Sequence, residues 1–229
     1  MCRQCFNLYV IHASLCKSMF LSRRDRQAEY FDAERPTREL TDFYASLNRV
    51  NRFFGFAAPF KRLMPKFLGE PACRRLSLLD LGGGDGFLSR LLSNSAKRRG
   101  WAWRVINFDL RAQALNLATG SINVAGSALA LPFLDASVDV VIASQMTHHF
   151  EDGEVLLHLR EAWRVARVAV FFSDLHRNAA LWFVLRIGRY PRSFLQSVCR
   201  GWRVEELQQL ADRAGMASAR VLLQARKQP

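Results

Sequence analysis

One stretch constrains this chain more than any other: "LSLLDLGGGDGFLSRLL", residues 76–92. An apolar run ends in Asp80, glycines occupy Gly82, Gly83, Gly84 and Gly86, and from Phe87 apolar residues recur at helical spacing. A strand that turns on glycine straight into a helix lets backbone approach a ligand closely, because no Cβ stands in the way. Strand and helix signals alternate after it. "RLSLLDL", "WRVINFDL", "SINVAGSA", "SVDVVIASQ", "RVAVFFSDL" and "ASARVLLQAR" read as strands. "FLSRLLSNSAKRRG", "RAQALNLAT", "DGEVLLHLREAWRVA" and "RVEELQQLADRAGM" read as helices. This alternation predicts a doubly wound α/β fold around a mostly parallel sheet, with ligands bound outside the carboxyl ends of the strands.

Three segments follow from the pattern. Residues 1–27 read as a disordered tail, or as the product of a start codon placed too early, since "MFLSRRDRQAEYFDAERP" from Met19 looks like an ordinary polar start. Residues 28–75 read as a helical preamble or lid, with Leu40, Phe43, Tyr44, Leu47 and Val50 on one helical face, a stop at Gly55 and a second helix around Pro59 and Pro65. Residues 76–229 form the α/β domain. Among 229 residues the 33 Lys and Arg outnumber the 20 Asp and Glu, a net charge of +13, with the basic pairs dispersed along the chain. Dispersal favours a solvated basic surface, with a nucleic-acid or anionic-membrane contact surface as the alternative. Five cysteines with a single CxxC at Cys2–Cys5 lack a second ligand pair, so no metal site is assigned and a reduced, cytoplasmic setting is the expectation. No stretch is long and apolar enough to predict a membrane-spanning helix.

What the glycine turn can bind follows by elimination. A phosphate-binding P-loop requires GxxxxGK[ST], but Asp85 stands in the loop and no Lys follows before Lys97. The dinucleotide fingerprint GxGxxG requires its third glycine where Phe87 or Ser89 stands, depending on register. DxGxGxG fits, at Asp80, Gly82, Gly84 and Gly86, with Gly83 and Asp85 between them. S-adenosylmethionine carries a sulfonium and an α-ammonium, which suit acidic residues, and a carboxylate, which suits a helix N-terminus. Asp109, followed by Leu110, ends the next strand where an acid can accept both ribose hydroxyls. Ser127 and Ala128, at the exit of the third strand, are placed beside the adenine, and Ser144 ends the fourth strand at the same rim.

These motifs resemble those of class I S-adenosylmethionine-dependent methyltransferases over most of residues 76–175, at "LLDLGGGDG", "NFDL", "LALPFLDASVDVVIASQMTHHF" and "LREAWRVAR". The resemblance implies a Rossmann-like, seven-stranded sheet and S-adenosylmethionine as cofactor. Ser127 departs from the acid usual in "GDAxxLPF", which implies weaker adenine binding. Within that superfamily, "SLNRVNRFFG", "THHF", "SDLHRNAALWFV" and "SVCRGWRVEELQQLADRAG" resemble the small methyltransferases associated with type III polyketide synthase gene clusters. That implies a small phenolic, polyketide-like or quinone-like acceptor, methylated on oxygen or carbon. The chain is shorter than those relatives between Leu185 and Ser197.

A phenolic acceptor must lose a proton, and histidine is the side chain suited to take it near neutral pH. His148 and His149 are the candidate bases, placed after the fourth strand. Asp174 and His176, after the fifth, are candidates for the acceptor pocket, with Arg177 beside them for an anionic group. Asn48, Asn51 and Arg52 sit where the preamble would act as a lid. Two other classes stay open. The positive charge suits an RNA methyltransferase, but "SQMTHHF" replaces the [DN]PP[YF] of base-amino methylases. A catalytically inactive binding protein is the other, against which the intact DxGxGxG and Asp109 speak.

Overall fold

The computed structural model describes residues 6–11, 21, 23–29, 35–119, 122–216 and 219–224. The strands are β1 (Phe6–Ile11), β2 (Arg75–Leu81), β3 (Ala102–Asp109), β4 (Ile122–Ala125), β5 (Val138–Ser144), β6 (Ala166–Asp174) and β7 (Ala219–Gln224). The helices are α1 (Thr37–Phe54), α2 (Ala58–Leu68), α3 (Glu70–Cys73), α4 (Phe87–Arg98), α5 (Ala112–Leu115), α6 (Asp152–Val165), α7 (Ala179–Ile187), α8 (Arg192–Arg200) and α9 (Val204–Arg213).

Strand order is β4-β3-β2-β5-β6-β1-β7, with every pairing parallel. The chain moves outward from β2 through β3 to β4, then returns to lay β5 on the other side of β2. This reversal opens a crevice at the carboxyl ends of β2 and β5, where ligands of such sheets bind.

The strands are nearly continuous apolar runs because helices cover both of their faces. Neighbouring residues therefore part company: Leu79, Val141, Val170 and Phe172 join one core layer, while Leu78, Val140 and Phe171 join the other. The first layer packs on α6 and α9 through Val155, Leu159 and Leu207, and the second on α2 and α4 through Phe60, Met64 and Leu92. Each such side chain contributes roughly 1.5–3 kcal/mol by leaving water.

β2–β6 form five adjacent strands of this sheet, and β1 and β7 continue it at the β6 edge. The sequence reading missed β1 altogether: Phe6–Ile11, placed in the tail, pairs in parallel with β6 and β7. The CxxC cysteines and most of the tail lie outside the described residues. α1, α2 and α3 lie within the stretch read as the preamble, with α1 stopped by Gly55 in the left-handed region at φ 69°. The "RAQALNLAT" helix shrinks to the single turn of α5.

Candidate active site

The crevice holds a cavity of about 460 Å³. Its floor is the turn between β2 and α4. Gly82, Gly84 and Gly86 take φ of 66°, 54° and 72°, conformations costly for any residue with a Cβ. Gly83 is required for a different reason: a Cβ there would meet Asn107 Oδ1 at 1.9 Å. The end of β3 stitches this turn in place. Gly83 N donates to Phe108 O, Asn107 Nδ2 donates to Gly84 O, and Gly84 N donates to Asp109 Oδ2.

The acids of the turn are differentiated by their surroundings. Asp80 is fully enclosed and accepts from Ser89 Oγ at 2.7 Å. Burial, with the charge of Asp109 adding to it and the Ser89 hydrogen bond opposing it, pushes Asp80 up to about 7. Ser89, which breaks the dinucleotide fingerprint, is thus the partner of the acid that defines the alternative motif. Asp85 accepts from Phe87 N and Asn48 Nδ2, and its carboxylate faces Arg90 at 3.4 Å. Asp109 is buried, and its two oxygens accept from Gly84 N and Arg111 N at 2.9 Å each.

Gly82, Gly83, Asp80, Asp85 and Asp109 line the cavity, whereas Gly84 and Gly86 turn the chain beneath it. Leu110, 73% exposed, stands on the wall near the surface, and Ser127, Ala128 and Ser144 also line the cavity. Ser127 Oγ accepts from Leu129 N at 3.2 Å, so the hydroxyl also braces its own loop.

Helix α1 closes the cavity from above. Tyr44 crosses the turn so closely that a Cβ on Gly84 would meet its ring at 2.6 Å. Asn48 reaches Asp85, and Asn51 Oδ1 accepts from Gln145 Nε2 at 2.7 Å. Arg52 is drawn toward the Phe87 ring, 5.3 Å from its centroid. Asn107 and Gln145 escaped the sequence reading, which places Tyr44 only on a helical face. Gln145 follows β5 with a φ of 53°, strain for a non-glycine residue, and no local pattern announces it.

At the other end of the cavity a 3-10 turn, Thr147–His149, carries both histidines. His148 is 2% exposed, with Nδ1 at 2.6 Å from Asp174 Oδ1 and Nε2 at 3.5 Å from Glu29 Oε1. Burial alone would lower His148; the Asp174 and Glu29 carboxylates outweigh it and hold the imidazole above its ordinary value. Burial alone would raise Asp174; His148 and the backbone N–H groups of Leu175 and His148 outweigh it and hold the carboxyl below its ordinary value. His148 and His149 both line the cavity.

Asp174 stands behind His148 rather than in the cavity wall, so its expected role in the acceptor pocket is corrected to that of a partner for the imidazole. His176 also lies off the wall, its backbone bridging Trp202. Arg177 is consumed structurally: its guanidinium donates to Leu21 O, Gly201 O and Glu206 Oε1. Glu29, missed in the sequence, lines the cavity instead. Glu29, His148 and His149 bring ligand-type atoms within 4.8 Å of one another. Arg200 Nε, 3.9 Å from Glu29 Oε1, opposes a second cation there, and we assign no metal to the cluster.

Sheet order and a glycine turn at the carboxyl ends of the strands are those of a Rossmann-like, doubly wound fold. Residues 79–172 match a protein-family profile described as a methyltransferase domain. The chain is 31% identical over 124 residues to an uncharacterized methyltransferase of Mycobacterium sp. (strain KMS), covering 52% of this chain and 48% of that protein. It is 32% identical over 133 residues to one from Mycolicibacterium vanbaalenii, covering 55% and 51%. The chain therefore spans about half the length of the curated relatives it matches. Among solved structures, a putative S-adenosyl-L-methionine-dependent methyltransferase from Methanococcus maripaludis superposes with a TM-score of 0.63 at 14% identity, covering 84% of this chain and 92% of that one. A SAM-dependent methyltransferase from Aquifex aeolicus gives 0.54 at 18%, covering 80% and 89%.

Proposed function

We propose that this protein is an S-adenosylmethionine-dependent methyltransferase acting on a small aromatic, polyketide-like or quinone-like acceptor. One observation carries the reading: the glycine turn with its two buried acids, and His148 backed by Asp174, face the same cavity. The turn fits the cofactor. Gly82 and Gly83 line the cavity without side chains, and Asp80 and Asp109 offer negative charge to a cationic nucleoside. Asp109 would hold the ribose, Ser127 and Ala128 would border the adenine, and Asp80 would face the charged end. Bound there, the cofactor supplies a methyl group on a positively charged sulfur.

The chain's own residues handle the acceptor. His148, oriented through Nδ1 by Asp174, is suited to take the acceptor's proton through Nε2; a positioned base contributes roughly 10²–10⁴-fold. α1 covers the cavity, which excludes water and fixes orientation. A cavity of about 460 Å³ under a packed helix favours a small acceptor over a nucleic acid strand.

The test is calorimetry with S-adenosylmethionine, followed by labelled methyl transfer to 5-pentylresorcinol, a reduced quinone and ribosomal RNA. Micromolar binding that weakens at least tenfold in Asp109→Ala, with label entering a small acceptor, is expected. Wild type that does not bind the cofactor would sink the reading, and label entering only RNA would replace the acceptor class.

A further inference from the structure

Residues 23–29 form neither helix nor strand, yet they are fastened to the acceptor end of the cavity. Arg24, its side chain 6% exposed, donates to the carbonyls of His148, Phe150 and Arg200 and lies 3.9 Å over the Trp202 ring. Arg200 reaches the same turn from the opposite side, donating to the carbonyls of His148 and His149 and to that of Gln27. Asp25 N donates to Cys199 O, and Gln196 holds the carbonyls of Gln27 and Ala28. Ser197 Oγ then fixes Glu29 through Oε2 at 2.9 Å, leaving Oε1 directed at His148 Nε2.

We propose that this strap completes the acceptor site, with Glu29 as the second carboxylate of a Glu29–His148–Asp174 unit that receives the acceptor's hydroxyl and its proton. The proposal rests on the methyltransferase reading and deepens it. In the proton transfer the acceptor's O–H bond breaks, the proton passes to His148 Nε2, and the electron pair stays on the oxygen as the nucleophile. The imidazolium so formed lies between two carboxylates, donating through Nδ1 to Asp174 and through Nε2 toward Glu29.

The charged groups around His148 make this arrangement specific. Asp174 faces it from β6, Glu29 from the strap and Arg200 from α8, with the His149 ring 4.3 Å away between centroids. Arg24 and Arg200 bond the backbone of the turn, so they set the position of His148 without occupying its nitrogens. Glu29 and His148 line the cavity together and Asp174 does not, so an incoming hydroxyl meets the carboxylate and the imidazole at one place.

The experiment follows the His148 imidazole by NMR across pH in protein saturated with S-adenosylhomocysteine, beside pH–rate profiles with 5-pentylresorcinol. An opposite charge at this distance shifts a titration by about 1–3 units. Glu29→Gln should lower the His148 midpoint by about one unit, move the rising limb of the rate profile to lower pH by a similar amount, and leave cofactor affinity within about twofold. Glu29→Asp should recover part of both shifts; it is also the variant to read if Glu29→Gln does not fold. A midpoint that stays put in the folded variant overturns the proposal whatever the turnover, as does stoichiometric zinc or manganese binding that Glu29→Gln abolishes. Failure of wild type to bind S-adenosylmethionine overturns the methyltransferase reading instead.

Discussion

His148 Nδ1 lies 2.6 Å from Asp174 Oδ1, and both side chains are almost wholly enclosed. Burial of a charged pair is costly unless geometry and further hydrogen bonds compensate it, and here the Leu175 and His148 N–H groups also donate to the carboxylate. Asp174→Asn should therefore remove the group that fixes the imidazole tautomer. The expected outcome is a fall in kcat on a phenolic acceptor of about 10²-fold or more, with cofactor affinity within about twofold. Steady-state kinetics beside calorimetry checks it; equal losses in both would assign the pair to structure alone.

Gly83→Ala should damage the turn through one neighbour. The new Cβ would meet Asn107 Oδ1 at 1.9 Å, so either the turn or Asn107 must move. A cofactor affinity loss of at least tenfold is expected, with a melting temperature several degrees lower, as overpacking costs of about 1–3 kcal/mol imply. Asn107→Ala in the same chain should restore part of the affinity. A double variant no better than Gly83→Ala would show that the contact is not the cause.

Asp80 gives the turn a pH dependence. Its folded value of about 7 lies above its unfolded one, so its contribution is present at acid pH and is lost as pH rises toward and through 7. The unliganded protein should lose stability between pH 5 and 8 on this account, on the order of 3 kcal/mol at most. Asp80→Asn should flatten that slope while weakening S-adenosylmethionine binding at pH 8, where wild type presents a full negative charge. Thermal melts at several pH values, with and without cofactor, measure both.

His158 acts in the opposite sense. Its ring is buried, stacked on Phe172 with centroids 4.9 Å apart, and burial pushes it down to about 4. A histidine depressed on folding contributes stability above its unfolded value near 6.5, lost as pH falls through 4. His158→Phe should reduce acid destabilisation between pH 6.5 and 4 by up to about 3 kcal/mol. Urea midpoints at pH 7 and 4.5 would decide; an unchanged pH slope would assign the loss to other groups.

Much of the site was legible before any coordinate. Asp80, the glycines and Asp109 declared themselves because a strand end, a turn without Cβ atoms and a helix start are written in consecutive residues. The same locality placed His148 and His149 after β5. It misjudged Asp174, His176 and Arg177, which share one strand exit: Asp174 pairs with an imidazole, the His176 backbone bridges Trp202, and Arg177 donates to carbonyls and to Glu206. Which way each side chain points depends on elements far away in the chain.

Alternating apolar runs, glycine spacing and charge thus determined the doubly wound sheet and the kind of ligand its crevice suits, since both depend on short-range order. Tertiary structure alone decided that Phe6–Ile11 enters the sheet between β6 and β7, and that α1 lays Tyr44 over Gly84. It alone brought Glu29 to His148 across more than a hundred residues. The physical reason is that a buried charge takes whatever partner the folded chain delivers, and sequence separation sets no limit on that distance.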